Sequence, residues 1–203
     1  MKVIGLCGGS GSGKGTVSTL FEKFGIHSID TDAVYHDLTS KRSACLDALV
    51  ERFGKDILTN DGALDRRALA DIVFNGADSQ EKREALNKIA HKFVLMRARE
   101  ILAEYKEAGM PAAIVDAPLL FESGFDKECD VIIAVIADQS TRIERIMKRD
   151  GITKEYATAR IRAQLSDEYL KERADYVINN SNGIGDTDVE VAKIAKKILD
   201  TEI

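Results

Sequence analysis

Proline is nearly absent from this 203-residue chain: there are two, and no Gly/Ser-rich stretch serves as a linker. One domain is therefore expected, with room for an inserted subdomain. Cysteine is also sparse. Cys7, Cys45 and Cys129 lie far apart and form no CxxC pair, which argues against a zinc site. An odd number of cysteines fits a reducing cytosol better than a disulfide framework, so a cytoplasmic location is expected. No run approaches the roughly 18–20 apolar residues needed to span a bilayer. The apolar residues 3–7 stop at Gly8, so no secretory signal is expected. Positive charge is in deficit, with Lys+Arg 29 against Asp+Glu 34 and a formal net charge of -5. That balance argues against a nucleic-acid coat or an anionic-membrane binder. Internal repeats and low-complexity tracts are missing as well.

What is present is core-forming material: 44% hydrophobic and 31% charged residues, enough for a sizeable buried interior. Residues 2–7 read as a buried strand and residues 15–24 as a helix. Residues 25–29 read as a second strand, with Asp30, Thr31 and Asp32 at its carboxyl end. From 33 to about 105 the pattern is almost wholly helical, broken by a turn at Asn60-Asp61-Gly62. Leu86, Ile89, Phe93, Val94, Ile101 and Leu102 keep to one face of a long helix. Residues 112–115 and 131–137 are nearly all apolar, as strands buried on both faces of a parallel sheet are. Residues 141–148 and 153–165 read as helices, the second capped by Thr153. A short strand at 176–178 and an amphipathic helix at 189–199 complete the chain. The order predicts an α/β fold: an open parallel sheet of about five strands flanked by helices. A helical insertion at about 35–105 and a helical lid at about 140–165 are expected within it.

Gly8-Gly9-Ser10-Gly11-Ser12-Gly13-Lys14-Gly15-Thr16 lies between the first strand and the first helix. Gly8, Gly13 and Lys14 hold the GxxxxGK spacing. Glycines let the backbone turn N–H groups onto phosphate oxygens, and the helix N-terminus adds its positive dipole end. Lys14 adds a mobile cation for the β- and γ-phosphates. Gly8, Gly11, Ser12, Gly13, Lys14, Gly15 and Thr16 are the expected donor-nucleotide residues. The strict pattern places a Mg²⁺-binding hydroxyl after the lysine. Here Gly15 stands there and the hydroxyl comes at Thr16, so Mg²⁺ is expected to be held mainly through water and phosphate oxygens.

The rest of the chain narrows the class. A GTPase needs an Asn-Lys-x-Asp guanine reader, but Asn87-Lys88 is followed by Ile89 and Ala90. A mechanical ATPase is usually larger. A small-molecule kinase needs a carboxylate for the acceptor hydroxyl, and Asp32, at the carboxyl edge of the second strand, qualifies as a general base. Asp30 competes with it, or caps the following helix. Asp116 and Asp138 end other strands and either order Mg²⁺ or cap. Arg145 and Arg149 share a helix face ahead of the Asp150-Gly151 turn, as a phosphate-closing lid requires. Arg142, Lys148, Lys154 and Arg162 read instead as a solvated face.

These segments together resemble the dephospho-coenzyme A kinase family nearly end to end. The resemblance rests on the loop and on Ile29-Asp30-Thr31-Asp32, Leu64-Asp65-Arg66 and Asn87-Lys88-Ile89-Ala90-His91. It continues through Asp116-Ala117-Pro118-Leu119-Leu120-Phe121-Glu122, Arg145 to Asp150, Gln164 and Ala174-Asp175-Tyr176-Val177-Ile178. Two positions depart from the family: Gly15 replaces a hydroxyl residue, and Lys92 follows His91 where proline is usual. The resemblance implies ATP-dependent phosphorylation of the ribose 3′-hydroxyl of dephospho-coenzyme A. It makes Lys14 the phosphate clamp and Asp32 the base, and gives Arg145 and Arg149 the charge on the transferring group. Arg66, Asn87 and His91 would help bind the acceptor, and Pro118 and Leu119 would shape its cleft; His91 is equally readable as a packed helix-face histidine. Thr16 and Asp32 would reach Mg²⁺ through water. ATP and dephospho-coenzyme A are the implied small-molecule partners, with neither nucleic acid nor membrane. Another nucleotide kinase would share the loop, base and lid, and a regulatory nucleotide-binding protein would need only the loop.

Overall fold

The computed structural model describes residues 1–75 and 78–200. The chain divides into two compact units, one of residues 1–29 and 102–203, the other of residues 30–101.

The first unit is built on the sheet. Its strands are β1 (Lys2–Cys7), β2 (His27–Asp30), β3 (Ala112–Asp116), β4 (Val131–Ile136) and β5 (Tyr176–Asn179), in the order β2-β3-β1-β4-β5. Strand β1 runs parallel to both β3 and β4, and β4 parallel to β5. Residues 112–115 are all buried, which accounts for an apolar run with no polar alternation. Helix α1 (Lys14–Glu22) starts straight from the glycine loop, and it buries Val17, Leu20 and Phe21. Helix α9 (Ile184–Asp200) buries Thr187, Val191, Ile194, Ala195 and Ile198, a helical stripe of matching period. These faces meet Ile4, Leu6, Ile114, Ile133 and Val135 in one core.

The second unit holds α2 (Thr31–Ser40), α3 (Ala44–Phe53), α4 (Arg66–Phe74) and the part of α5 (Ser79–Glu107) up to Ile101. Asp30, Ser43 and Asp65 cap the first three through their side chains, each satisfying N–H groups that the first turn leaves unpaired. Cys45, Leu49, Ile57, Leu69 and Val73 form a separate core, with Tyr35, Leu86 and Phe93 against it. The Asn60-Asp61-Gly62 turn is present: Leu58 and Leu64 bridge across it. The helical reading across 76 and 77 lies outside the described residues.

The remaining helices belong to the first unit: α6 (Gln139–Asp150), α7 (Lys154–Arg162) and α8 (Asp167–Arg173). Thr153 caps α7 as expected. Helix α8 was not expected from sequence. Its seven residues are too few for an apolar period to show, and only Leu170 is buried; its capping residue is Ser166. Among the described residues no helix is long and apolar enough to cross a membrane.

Phe21 is fully buried in the sheet core. Phe21→Ala should destabilise the protein by about 3–5 kcal/mol through lost burial and the residual cavity. Urea unfolding should show a lower midpoint with an unchanged m-value.

Candidate active site

The carboxyl edge of the sheet gathers the polar residues of the first unit. The register sets Leu6 of β1 beside Asp116 at the end of β3. The glycine loop leaves β1 one residue later, and Lys14 returns its ammonium to within 3.4 Å of Asp116 Oδ1. Asp116 was open between Mg²⁺ and a helix cap; the structure pairs it with the loop lysine. Gly13, at φ 93°, is the left-handed residue from which α1 starts. A Cβ there would run into the Asn180 amide, so both conformation and space call for glycine.

The carbonyls of residues 10–12 in the loop are each held by a side-chain donor. Asn180 Nδ2 donates to the Ser12 carbonyl at 2.8 Å. Arg145 Nη1 donates to the Gly11 and Ser12 carbonyls at 3.2 and 3.3 Å, and its Nη2 to the Asn180 carbonyl at 2.9 Å. Arg142 Nε donates to the Ser10 carbonyl at 3.0 Å. Thr187 completes the set by donating its hydroxyl to Asn180 Oδ1 at 2.9 Å. Asn180 and Thr187 are both buried. The Ser12 hydroxyl is buried with no hydrogen-bond partner, a polar group at the loop that a phosphate oxygen would satisfy.

Arg142 corrects the expectation of a solvated face. It is only 4% exposed and donates to Asp167 Oδ1 at 2.9 Å. Lys148, Lys154 and Arg162 are exposed as expected. Asp138, the other strand-end carboxylate left open, makes no side-chain cap to α6.

Arg149 sits on α6 with a carboxylate fork. Its Nε and Nη2 donate to Asp150 at 2.7 and 3.0 Å, and its Nη2 lies 3.5 Å from the Ser10 hydroxyl. Arg160 of α7 pairs with the same carboxylate. Hydrogen bonding from Arg149, followed by that from Arg160, holds the Asp150 carboxyl down to about 2. Pro118 and Leu119 border a small cleft of about 100 Å³ with Gly8, Gly9 and Gln164. Burial pushes the Cys7 thiol beside the loop up to about 12, so it is no nucleophile near neutral pH.

In the second unit the structure separates Asp30 from Asp32. Asp30 Oδ1 accepts from the N–H groups of Asp32 and Ala33 at 2.9 and 3.1 Å, so it is the α2 cap. Asp32 is exposed in the first turn of α2. Asp32 and Arg66 line one groove of about 340 Å³ with Tyr35, Leu64, Leu69, Ala70, Phe74 and Leu86. Arg66 also touches His36 Nδ1. Asn87 and His91 lie one turn apart on α5, and neither lines that groove. Tyr35 and Phe74 did not stand out in the sequence, because an apolar or aromatic residue in a helix reads as core unless its surroundings are known.

Comparison with known proteins gives one consistent likeness. A family model described as dephospho-CoA kinase matches residues 2–186. A dephospho-CoA kinase of Bacillus cereus is 40% identical over 195 residues, covering 96% of each chain. The crystal structure of TT1252 from Thermus thermophilus superimposes with a TM-score of 0.81 at 30% identity, covering 98% of each chain. A dephospho-CoA kinase from Campylobacter jejuni follows at a TM-score of 0.71 and 26% identity, covering 97% of this chain and 96% of the other.

The depressed Asp150 carboxyl sets a pH window. Its ordinary value is about 3.9, so the Arg149–Asp150 pairing is fully present above about pH 4 and is lost as pH falls through about 2. A carboxyl-carbon NMR titration should find the Asp150 midpoint near 2 in the wild type. Arg149→Ala should move that midpoint upward, toward the ordinary range.

Proposed function

The chain belongs to the dephospho-CoA kinase family, and on that premise we propose how its own residues carry the reaction. The protein transfers the γ-phosphoryl group of ATP to the ribose 3′-hydroxyl of dephospho-coenzyme A, giving coenzyme A and ADP, the last step of coenzyme A biosynthesis. The observation that carries this function is the family match across residues 2–186. The glycine loop, with its carbonyls held by side-chain donors and Lys14 paired with Asp116, supports the donor assignment.

The loop N–H groups and Lys14 bind the ATP phosphates and draw off charge as the bond to the leaving ADP lengthens. Asp32 accepts the proton of the acceptor hydroxyl as its oxygen attacks the γ-phosphorus. Arg149 balances the charge spread over the transferring group; Arg145, expected to share that role, spends its guanidinium on the Gly11, Ser12 and Asn180 carbonyls and so supports the loop. The Asp32 groove, with Arg66, receives the acceptor; Asn87 and His91 on α5, and Pro118 and Leu119 at their own cleft, are the further acceptor residues of this reading. The helical stretch at about 35–105 is the acceptor-binding insertion in this reading, and α6 with α7 form the lid at about 140–165. When the lid closes, Arg149 exchanges Asp150 for phosphate and water is excluded.

Mg²⁺ fits the donor set as an ion carried largely by phosphate and water. Thr16 offers a hydroxyl on the exposed first turn of α1, and among the described residues no cluster of three or more His, Cys, Asp or Glu could hold a metal. Thr16 and Asp32 would hold it through water, and when bound it would neutralise charge on the β- and γ-phosphates. ATP and dephospho-coenzyme A are the partners in this reading, and the protein works in the cytoplasm.

Phosphate transfer is tested by following ADP and coenzyme A formation with and without dephospho-coenzyme A. Product formation should require both substrates; ATP turnover indifferent to the acceptor would sink the assignment. Lys14→Ala should abolish transfer in a folded protein, since the side chain fills no core. Asp32→Asn should lower kcat by at least about 10²-fold with ATP affinity little changed. Asp30→Asn should retain most of kcat, because an amide oxygen still caps α2. The reverse ranking of the two would exchange their roles. Hydrogen exchange in α6 and α7 should slow when ATP and acceptor are both bound, and unchanged exchange would remove the lid assignment.

A further inference from the structure

Arg142 is a buried cation whose side chain is 5% exposed, and its carboxylate partner, Asp167, is 23% exposed. Its planar fork reaches three acceptors on three different segments. Nε donates to the Ser10 carbonyl at 3.0 Å. Nη1 donates to Asp167 of α8 at 2.9 Å. Nη2 donates to Gln164 Oε1, in the link between α7 and α8, at 3.3 Å. The same Gln164 oxygen accepts from the Ser10 N–H at 2.8 Å. Ser10 is thus gripped on both sides, its carbonyl by Arg142 and its N–H by Gln164. Arg142 also lies against the loop so closely that a Cβ on Gly9 would overlap its guanidinium.

We propose that Arg142 is a positioning residue for donor binding, which holds the apex of the phosphate loop in its phosphate-receiving shape through Ser10 and together with Gln164. The inference rests on the reading of this loop as the ATP site. A glycine-rich loop has many conformations, and only some direct its N–H groups to one point. Ser10 lies at the middle of the loop, away from both β1 and α1, so neither element fixes its peptides. Arg142 can fix them because its rigid fork serves several acceptors at once, which a lysine ammonium on a flexible stem does less well. Asp167 keeps the buried charge compensated and the fork in one orientation.

A role in the fold alone would lower thermal stability and leave substrate affinities unchanged. The test is therefore ATP binding by calorimetry without acceptor in the wild type, Arg142→Lys and Gln164→Ala, and KM for each substrate in the wild type and Arg142→Lys. Both variants should weaken ATP binding about tenfold. In Arg142→Lys, KM for dephospho-coenzyme A should move by less than about threefold; Gln164 borders the cleft of Pro118 and Leu119, so its variant is read by ATP binding alone. In the double variant the loss should be smaller than the product of the single losses, because both side chains act on one residue of the loop. Gln164 is exposed and uncharged, so its variant folds even where Arg142→Lys does not, and it then decides alone. Unchanged ATP affinity in folded Gln164→Ala overturns the inference, as it does in folded Arg142→Lys. A wild-type protein that binds no ATP would instead overturn the donor-loop reading itself.

Discussion

The carbonyls of residues 10–12 are each pinned by a charged or amide donor, and the shape of the glycine loop depends on that constraint. A peptide group is a dipole, so fixing its oxygen fixes where its N–H points. Arg142, Arg145 and Asn180 each take a carbonyl of this stretch. The loop's capacity to receive anionic oxygen comes as much from these donors behind it as from its glycines, which supply only the freedom to adopt the shape.

The same arrangement reconciles an acidic chain with an anionic substrate. The net charge is -5, yet cations are concentrated at one sheet edge, and each is held in place by an acceptor. Lys14 has Asp116, Arg142 has Asp167, and Arg149 and Arg160 share Asp150. Pairing in this way limits the repulsion among clustered cations and keeps them oriented. Arg149 is largely exposed and paired with its neighbour in sequence, so its partner can be exchanged at small cost. Arg142 is buried, and its partner cannot be exchanged in that way.

Much of this was legible in the residues. The strand–glycine–lysine–helix order announces the loop, and unbroken apolar runs announce the strands, because local patterns encode local structure. Asp30 and Asp32 were readable as a cap and a base but not as which; a hydrogen bond of two or three residues' reach settled Asp30. Arg142 was misread. Its surroundings in sequence are those of an exposed helix, and its partners lie 132, 25 and 22 residues away. Asn180 and Thr187 left no signal, since a small polar residue after a strand and another in a helix are ordinary. Residues that hold a site from behind carry no motif, because only their distant contacts define them.

The distance between the loop and its supports bears on synthesis. The loop occupies residues 8–16, but the Thr187 hydroxyl that anchors Asn180 beneath it belongs to the C-terminal helix. A nascent chain carries the glycine loop before the groups that shape it have been made. The Thr187–Asn180–Ser12 chain of hydrogen bonds exists only once residues through Thr187 have emerged and β5 has joined the sheet beside β4. The loop is thus made well before its supports: Asn180, which holds the Ser12 carbonyl, lies 168 residues beyond it.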